Sequence, residues 1–157
     1  MTMLTIRAVR HDELLKTSDL WADFMAFNAK FDDSFATRSR AREIFAKEMM
    51  ERRPTEDYRL AVAENDGELV GFCFSYISQK PHYFKLQKFG FVGDLYVKPE
   101  FRRQGIGHDL VKDAINYFAR RKVEQIELLV ATKNKNAIAF WEALGFSHLL
   151  TWMYKRI

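Results

Sequence analysis

Two arginines and two glycines stand at the point where a strand-like run gives way to an amphipathic helical pattern. Residues 97–107 read V-K-P-E-F-R-R-Q-G-I-G. Gly105 and Gly107 free the backbone for a tight turn, and the following helix directs unpaired N–H groups back at that turn. The positive end of the helix dipole, with Arg102 and Arg103 alongside, favours phosphate oxygens. We therefore predict a protein that binds a phosphate-bearing cofactor.

The excess positive charge of the chain surrounds this junction. The net charge of the 157 residues is +4 at pH 7, and residues 98–122 hold seven basic and three acidic residues, so the rest of the chain is neutral overall. A solvated helix face is the alternative explanation for Lys112 and for the basic residues at 120–122. The sequence lacks a reading-helix motif and exposed interleaved aromatic residues, so we do not expect nucleic acid as a partner.

Composition indicates one globular domain, residues 1–157, because 48% of the residues are hydrophobic and the chain is too short for two cores. Uncharged apolar stretches are far shorter than a membrane span, so no membrane partner is expected. The first ten residues resemble a strand and not a secretory signal. The single cysteine, Cys73, suits a reducing compartment, and we expect the cytoplasm. The four histidines show no metal-ligand spacing, so no metal is predicted.

The elements that position the junction alternate between strand and helix patterns. Helical periodicity covers residues 11–28, 37–53, 105–121 and 134–144, with Thr37 as the cap of the second helix and Pro54 as its stop. Strand patterns cover residues 4–9, 59–64, 68–78, 89–97, 125–131 and 146–157, and N-D-G at 65–67 predicts a hairpin. The order predicts an α/β sheet with helices on its faces.

Two common phosphate-binding signatures do not fit the glycine turn. A P-loop needs Lys and a hydroxyl residue where His108 and Asp109 stand. A Rossmann fingerprint needs a small residue where Leu110 stands, and it belongs early in a βαβ unit. The remaining pattern is [R/Q]-x-x-G-x-G, which residues 102–107 satisfy.

A second motif lies a strand length after the first helix. Residues 134–146 read N-K-N-A-I-A-F-W-E-A-L-G-F. In this order and spacing the two motifs resemble the GNAT N-acetyltransferase superfamily, whose members bind acetyl-coenzyme A. The resemblance implies a mixed, splayed central sheet flanked by helices, and transfer of an acetyl group to an amine of a small molecule or a protein. It covers the whole chain, although residues before 58 share only the general layout. Dimers are frequent among similar proteins, so a homodimer is a further expectation.

The resemblance also implies where the acetyl-CoA cosubstrate would bind. Its pantetheine arm would lie between the fourth and fifth strands and pair with the main chain as an extra strand does. Three residues, Leu95, Tyr96 and Val97, would offer those main-chain groups. Backbone N–H groups would hold the pyrophosphate beside Arg102, and they come from Arg103, Gln104, Gly105, Ile106, Gly107 and His108. Asn134 would hydrogen-bond near the reactive end, with Ala137 and Phe140 packed beside it.

Direct attack of the amine in a ternary complex needs a base, because a typical amine is charged at neutral pH. Asp94 is the first choice, and its alternative role is to bond neighbouring backbone or a basic side chain. Glu127 is the second choice, with a plain surface position as the alternative.

The proton donor departs from the family pattern, because Trp141 stands where the family commonly has a tyrosine. One possibility is that Trp141 only shapes the thioester pocket. Another is that water, or another tyrosine such as Tyr154, protonates the leaving thiolate. The third possibility is loss of activity, which makes a non-catalytic coenzyme A sensor the alternative function.

Three other sets of residues have a structural explanation. Cys73 is expected to be a buried filler. Phe72, Phe74, Phe89 and Phe91 are expected in the core. Asp32 and Asp33, between the first two helices, form a turn or receive a cationic substrate.

Overall fold

Five strands form one mixed sheet in the computed structural model, which describes residues 3–157. The first four strands are antiparallel neighbours in chain order, and the fifth pairs parallel with the fourth. The strands are β1 (Leu4–Ala8), β2 (Tyr58–Asn65), β3 (Glu68–Gln79), β4 (Lys88–Val97) and β5 (Ile126–Leu128). The helices are α1 (Leu14–Ala29), α2 (Ala41–Arg52), α3 (Ile106–Arg120) and α4 (Lys135–Ala143).

Helices cover both faces of the sheet, which confirms the predicted α/β class. The helix α3 begins at Ile106 and buries one stripe, including Leu110 and Phe118, against the β3 residues Val70 and Cys73. The other face carries an aromatic-rich core under α1 and α2, made of Leu20, Phe45, Met49, Phe72, Phe74 and Tyr96. Because both faces are covered, residues 70–75 of β3 are all buried.

The hairpin predicted at 65–67 is present between β2 and β3. Asp66 and Gly67 adopt φ values of 49° and 84°, the left-handed pair that a tight two-residue turn requires. The turn pairs Asn65 with Glu68, and an extra residue at Val70 then shifts the register by one, so that Tyr58 lies opposite Tyr76. The turn and this bulge together determine how aromatic residues of the two strands meet.

Three predicted elements differ from the structure. Residues 146–157 contain no strand, and β5 is limited to 126–128, so the sheet has five strands and not six. A strand needs a partner ladder, and the last residues instead contact the loop after α1, where Tyr154 Oη donates to Asp32 at 2.7 Å. The helix α2 begins at Ala41 after Arg40 at φ 62°, so Thr37 is not its cap.

None of the helices within residues 3–157 is both long and apolar enough to cross a membrane.

Candidate functional site

The turn before α3 presents unpaired backbone donors. Gly105 is the residue before the helix, at φ 84°, and no side chain caps this helix end. The first helical hydrogen bond runs from Asp109 N to Gly105 O at 3.0 Å, which leaves the N–H groups of Ile106, Gly107 and His108 without helical partners. A Cβ added at Gly105 would meet no atom within 4 Å, so the turn is open on that side. The helix start predicted to bind an anion is therefore present as an open turn with unpaired backbone N–H groups.

Side chains around this turn divide into anchors and exposed groups. Ile106 is only 3% exposed and holds the turn in the core. Gly107 faces α4, because a Cβ there would make an ordinary contact of 3.4 Å with the Phe140 ring. Arg103, with φ 63°, and Gln104 are exposed at the turn. These positions leave the mouth of the turn to polar and cationic side chains.

Arg102 has a different contact from the one expected. Its Nε donates to Val97 O at 2.8 Å, and its guanidinium carbon lies 5.2 Å from the Phe27 ring centroid and 5.5 Å from that of Tyr96. The side chain thus joins the end of β4 to α1. Its contact with phosphate stays a prediction, because the structure shows the guanidinium bound to the protein itself.

The strands β4 and β5 separate at one edge of the sheet. Their pairing ends at Val92 and Leu128. Beyond that point, Leu95 and Val97 lie opposite Cys73 and Gly71 of β3, and no strand within residues 3–157 pairs with their other side. The result is a gap in the sheet with its wider end toward the start of α3.

Main-chain groups along this gap follow the antiparallel alternation. Lys98 N donates to Val70 O at 2.9 Å, so Lys98 and Tyr96 point their backbone groups at β3, while Leu95 and Val97 point theirs into the gap. With Val97 O taken by Arg102, the free groups are Leu95 N–H, Leu95 C=O and Val97 N–H. The geometry does not support the main-chain role expected of Tyr96, which stays a prediction.

Asn134 caps α4 at the far side of the gap. Its Oδ1 accepts from Ala137 N at 3.1 Å, which leaves the side-chain NH₂ as a donor. Ala137 and Phe140 are half-buried and pack on the core beneath α3. The cap therefore fixes the direction of the Asn134 amide, as a contact with a bound thioester arm would require.

Asp94 is a half-buried carboxylate that faces α1 and α2. Burial raises its pKa to about 6, and a hydrogen bond from the Trp21 indole opposes part of the rise. Its register partner on β3 is Phe74, which is only 5% exposed. No cation within the described residues forms an ion pair with Asp94. A base with a pKa near neutrality suits removal of a proton from an amine.

Glu127, the second choice, is already paired. Its Oε1 lies 2.6 Å from Lys80 Nζ and accepts from Gln125 Nε2 at 2.6 Å. It sits opposite Phe91, before the strands separate. These contacts favour a structural ion pair at the closed end of the gap, and a catalytic role for Glu127 stays a prediction.

Trp141 packs as a core side chain. It is 8% exposed, and its ring makes edge contacts with Phe140 and Phe146 at centroid distances of 5.1 Å. The other suggested donor, Tyr154, is 64% exposed and hydrogen-bonded to Asp32, which raises the pKa of the phenol. Of the two readings of Trp141, the structure favours packing.

Two further expectations can be compared with the structure. Cys73 is 1% exposed, and burial raises the pKa of its thiol to about 12, which confirms the inert filler. Asp32 accepts from Ser34 N at 2.8 Å, as a turn residue does, and Asp33 pairs with Arg156. No group of three or more potential metal-binding side chains comes together within residues 3–157.

Trp21 was not identified from the sequence as part of the site. It reads there as one apolar position of a helical pattern, and its indole N–H has no sequence signal that would point to Asp94. Its ring also stacks on Phe45 at 4.6 Å, which ties α1 to α2. Asp94 and its hydrogen-bond donor are therefore brought together by tertiary packing.

Comparison with known proteins relates this geometry to one family. The model of the acetyltransferase (GNAT) family matches residues 18–146. An uncharacterized N-acetyltransferase of Methanocaldococcus jannaschii is 31% identical over 145 residues, which are 90% of this chain and 60% of that protein. Thialysine N-epsilon-acetyltransferase of Bos taurus is 35% identical over 106 residues, 60% of this chain and 59% of that protein. The chain thus matches about three fifths of the length of either relative.

A solved structure has the same fold. The aminoglycoside N-acetyltransferase AAC(6')-Iy, in complex with CoA, superposes with a TM-score of 0.81 at 16% identity, and the match covers 100% of this chain and 96% of that one.

Proposed function

The chain belongs to the acetyltransferase (GNAT) family, and from this premise we propose that it is an acetyl-CoA-dependent N-acetyltransferase. One observation carries the proposal. A gap with unpaired main-chain groups, at Leu95 and Val97, leads to an open and uncapped helix start at Gly105. A linear thioester with a diphosphate at its other end has the shape and charge that this path would take.

The residues present fit the acetyl-CoA cosubstrate. Donors at Leu95 and Val97 would pair with the pantetheine arm, and the N–H groups around Gly105 would bind the diphosphate. Since a Cβ at Gly105 would meet open space, the backbone there is accessible to a large anion. Exposed Arg103 adds positive charge at the same mouth.

When bound, acetyl-CoA supplies an activated acetyl group on a thioester. Asp94 would take the proton of the acceptor amine, because burial raises the pKa of its carboxyl to about 6. Leu95 or Val97 N–H would meet the negative charge that develops on the carbonyl oxygen, and one such donor is worth about 10²–10³ in rate. Trp141 would close the pocket by packing alone, so the proton for the departing thiolate would come from water.

The acceptor is an amine of a small molecule or of a protein. Relatives support this class, since the Bos taurus protein is named for an ε-amine of thialysine. The face of Asp94 toward α1 and α2 is where such an amine would approach, because the opposite face is filled by α3. The alternative, a coenzyme A sensor without turnover, has no observation in its favour beyond the replacement of the usual tyrosine by Trp141.

A homodimer in the cytoplasm completes the proposal. The last segment exposes large apolar side chains, with exposed fractions of 65% for Leu149, 88% for Leu150, 79% for Trp152 and 85% for Met153. An apolar run of this kind is commonly an association surface. The buried, reduced Cys73 suits a reducing compartment.

Thiol release from acetyl-CoA across an amine library tests the activity, with calorimetric titration of CoA in parallel. Turnover with at least one amine supports the enzyme, whereas CoA binding without turnover on any amine supports the sensor. Light scattering on the purified protein tests the dimer, and a monomer at micromolar concentration would contradict it.

A further inference from the structure

We propose that the acceptor is a small amine that also carries an anionic group a few methylenes away, with Arg52 binding the anion and Asp94 receiving the amine. This inference rests on the proposed acetyl transfer and names the substrate class. It draws on a cluster of aromatic side chains and one arginine that the cofactor path does not use.

Arg52 lies at the last turn of α2, above aromatic rings of β2 and β3. Its guanidinium carbon is 5.1 Å from the Tyr58 ring centroid and 5.8 Å from that of Phe74. The two rings are nearly parallel, with an interplanar angle of 4° and centroids 6.1 Å apart. Tyr76 completes the group, 6.1 Å from Tyr58 and 5.8 Å from Phe74. An arginine held on aromatic faces keeps its N–H donors at the ring edges, where they can bind an anion.

The charge of Arg52 has no acidic partner within residues 3–157. Arg7, Arg42, Arg59 and Arg156 each form an ion pair with a carboxylate, and Arg52 forms none. Its side chain is half-buried, so an anion bound there would be less screened than one on an open surface. A half-buried guanidinium without a counterion is a suitable receptor for a carboxylate or phosphate.

Asp94 provides the opposite charge at the other end of the same aromatic group. It lies opposite Phe74 in the β3–β4 register, and a hydrogen bond from the Trp21 indole stabilises its charge. The charges of Arg52 and Asp94 both affect the pKa of Tyr76. Burial raises that pKa, the charge of Arg52 opposes the rise, and the charge of Asp94 adds to it. The phenol of Tyr76 therefore lies within electrostatic reach of both charges.

The spacing of the two charges sets the length of the acceptor. Both charges adjoin Phe74, because Arg52 is 5.8 Å from its ring centroid and Asp94 is its register partner on β4. An amine and an anion joined by a few methylenes would reach both groups. A diamine of equal length would place its second cation against Arg52, which costs affinity.

Coverage of the aromatic rings is the competing explanation for Arg52, since long cationic side chains often lie along apolar surfaces. That role would affect the stability of the fold and would treat all acceptors alike. Recognition of an anion would affect only acceptors that carry one. The two explanations therefore differ in substrate dependence.

Steady-state kinetics with four amines of matched length separate them: aminohexanoate, aminohexyl phosphate, hexylamine and diaminohexane. We expect kcat/KM to be about 10- to 100-fold higher for the two anionic acceptors, the range of a charged hydrogen bond. Arg52→Gln should remove that advantage through KM and leave hexylamine unchanged. Arg53→Gln, on the exposed neighbouring residue, is the matched control and should change neither.

Several outcomes would overturn the proposal. They are equal kcat/KM for hexylamine and aminohexanoate, a preference for the diamine, and an Arg52→Gln effect of the same size on every acceptor. Should Arg52→Gln unfold, Arg52→Lys keeps the charge and loses the planar fork, and it should still weaken the anionic acceptors selectively. CoA binding without acetylation of any amine would refute the proposed function itself, whereas acetylation that ignores the anion refutes only this inference.

Discussion

Replacing Asp94 with Asn should stabilise the fold and disable turnover in the same variant. Burial raises the pKa of Asp94 from 3.8 to about 6 in the folded protein. The folded state thus holds the proton more tightly than the unfolded chain does. Below pH 3.8 the carboxyl is neutral in both states and costs nothing. As the pH rises to about 6, ionisation increasingly favours unfolding, and the full cost is about 3 kcal/mol above that pH.

Asparagine carries no charge, so Asp94→Asn should gain up to about 3 kcal/mol of unfolding free energy at pH 8 and only about 0.5 kcal/mol near pH 4. The amide oxygen can still accept the Trp21 hydrogen bond. Without the base, kcat should fall by about 10²–10⁴. Wild-type kcat/KM should rise with pH through an inflection near 6, and the variant should lack that inflection.

Urea unfolding at the two pH values measures the first effect, and thiol release measures the second. Asp57→Asn, on an exposed carboxylate, is the control and should change neither. A variant that is less stable than wild type at pH 8 would refute the argument from burial. A variant that keeps both its turnover and the inflection would remove Asp94 from the reaction.

Substitutions at four residues test the rest of the site, with Gly67→Ala as a control. Gly105→Ala should weaken CoA binding, measured by calorimetry, and should cost roughly 1–2 kcal/mol of stability. Gly67→Ala, at the same φ of 84° in a remote hairpin, should cost a similar amount of stability and leave CoA binding unchanged. Asn134→Asp keeps the helix cap and loses the amide donor, so it should raise the KM for acetyl-CoA without loss of thermal stability. Asn134→Ala loses both the cap and the donor, so it should also lose about 1 kcal/mol of stability. Glu127→Gln should leave the kcat pH profile unchanged; loss of its inflection would make Glu127 the base. Trp141→Phe should retain kcat within about threefold if Trp141 acts by packing, and a loss of about 10² would assign it a direct role.

The turn at Gly105 was predictable because its determinants are local. A glycine at positive φ, a buried Ile106 and the amphipathic period of α3 lie within one short stretch. The hairpin at 65–67 was predictable for the same reason, since Asn-Asp-Gly specifies the turn by backbone preference alone. Neither feature depends on distant residues.

The face proposed for the acceptor was not predictable, because it forms only when α1 and α2 pack on β3 and β4. Trp21 and Asp94 are far apart in sequence, and each has an ordinary local explanation, as helix core and as strand polar residue. The same is true of Arg52 and Phe74. The final segment fails for a related reason: the pattern at 146–157 suits a strand, but a strand also needs a neighbour to pair with.

One residue links the gap between β4 and β5 to the sheet face covered by α1 and α2. Gly93 is the extra residue of a bulge, because Val92 pairs with Ser75 while Asp94 pairs with Phe74. In a regular strand, Asp94 would point away from the face that Phe91 occupies, three residues before it. Because Gly93 is an extra residue, Asp94 and Phe91 instead lie on the same face of the sheet, the one covered by α1 and α2. A Cβ at position 93 would lie 3.1 Å from the Phe74 ring, so glycine also allows the strands to pack closely at the bulge. The same bulge stands where β4 leaves β5. One local irregularity therefore lies at the opening of the gap and also turns the Asp94 carboxylate toward α1 and α2.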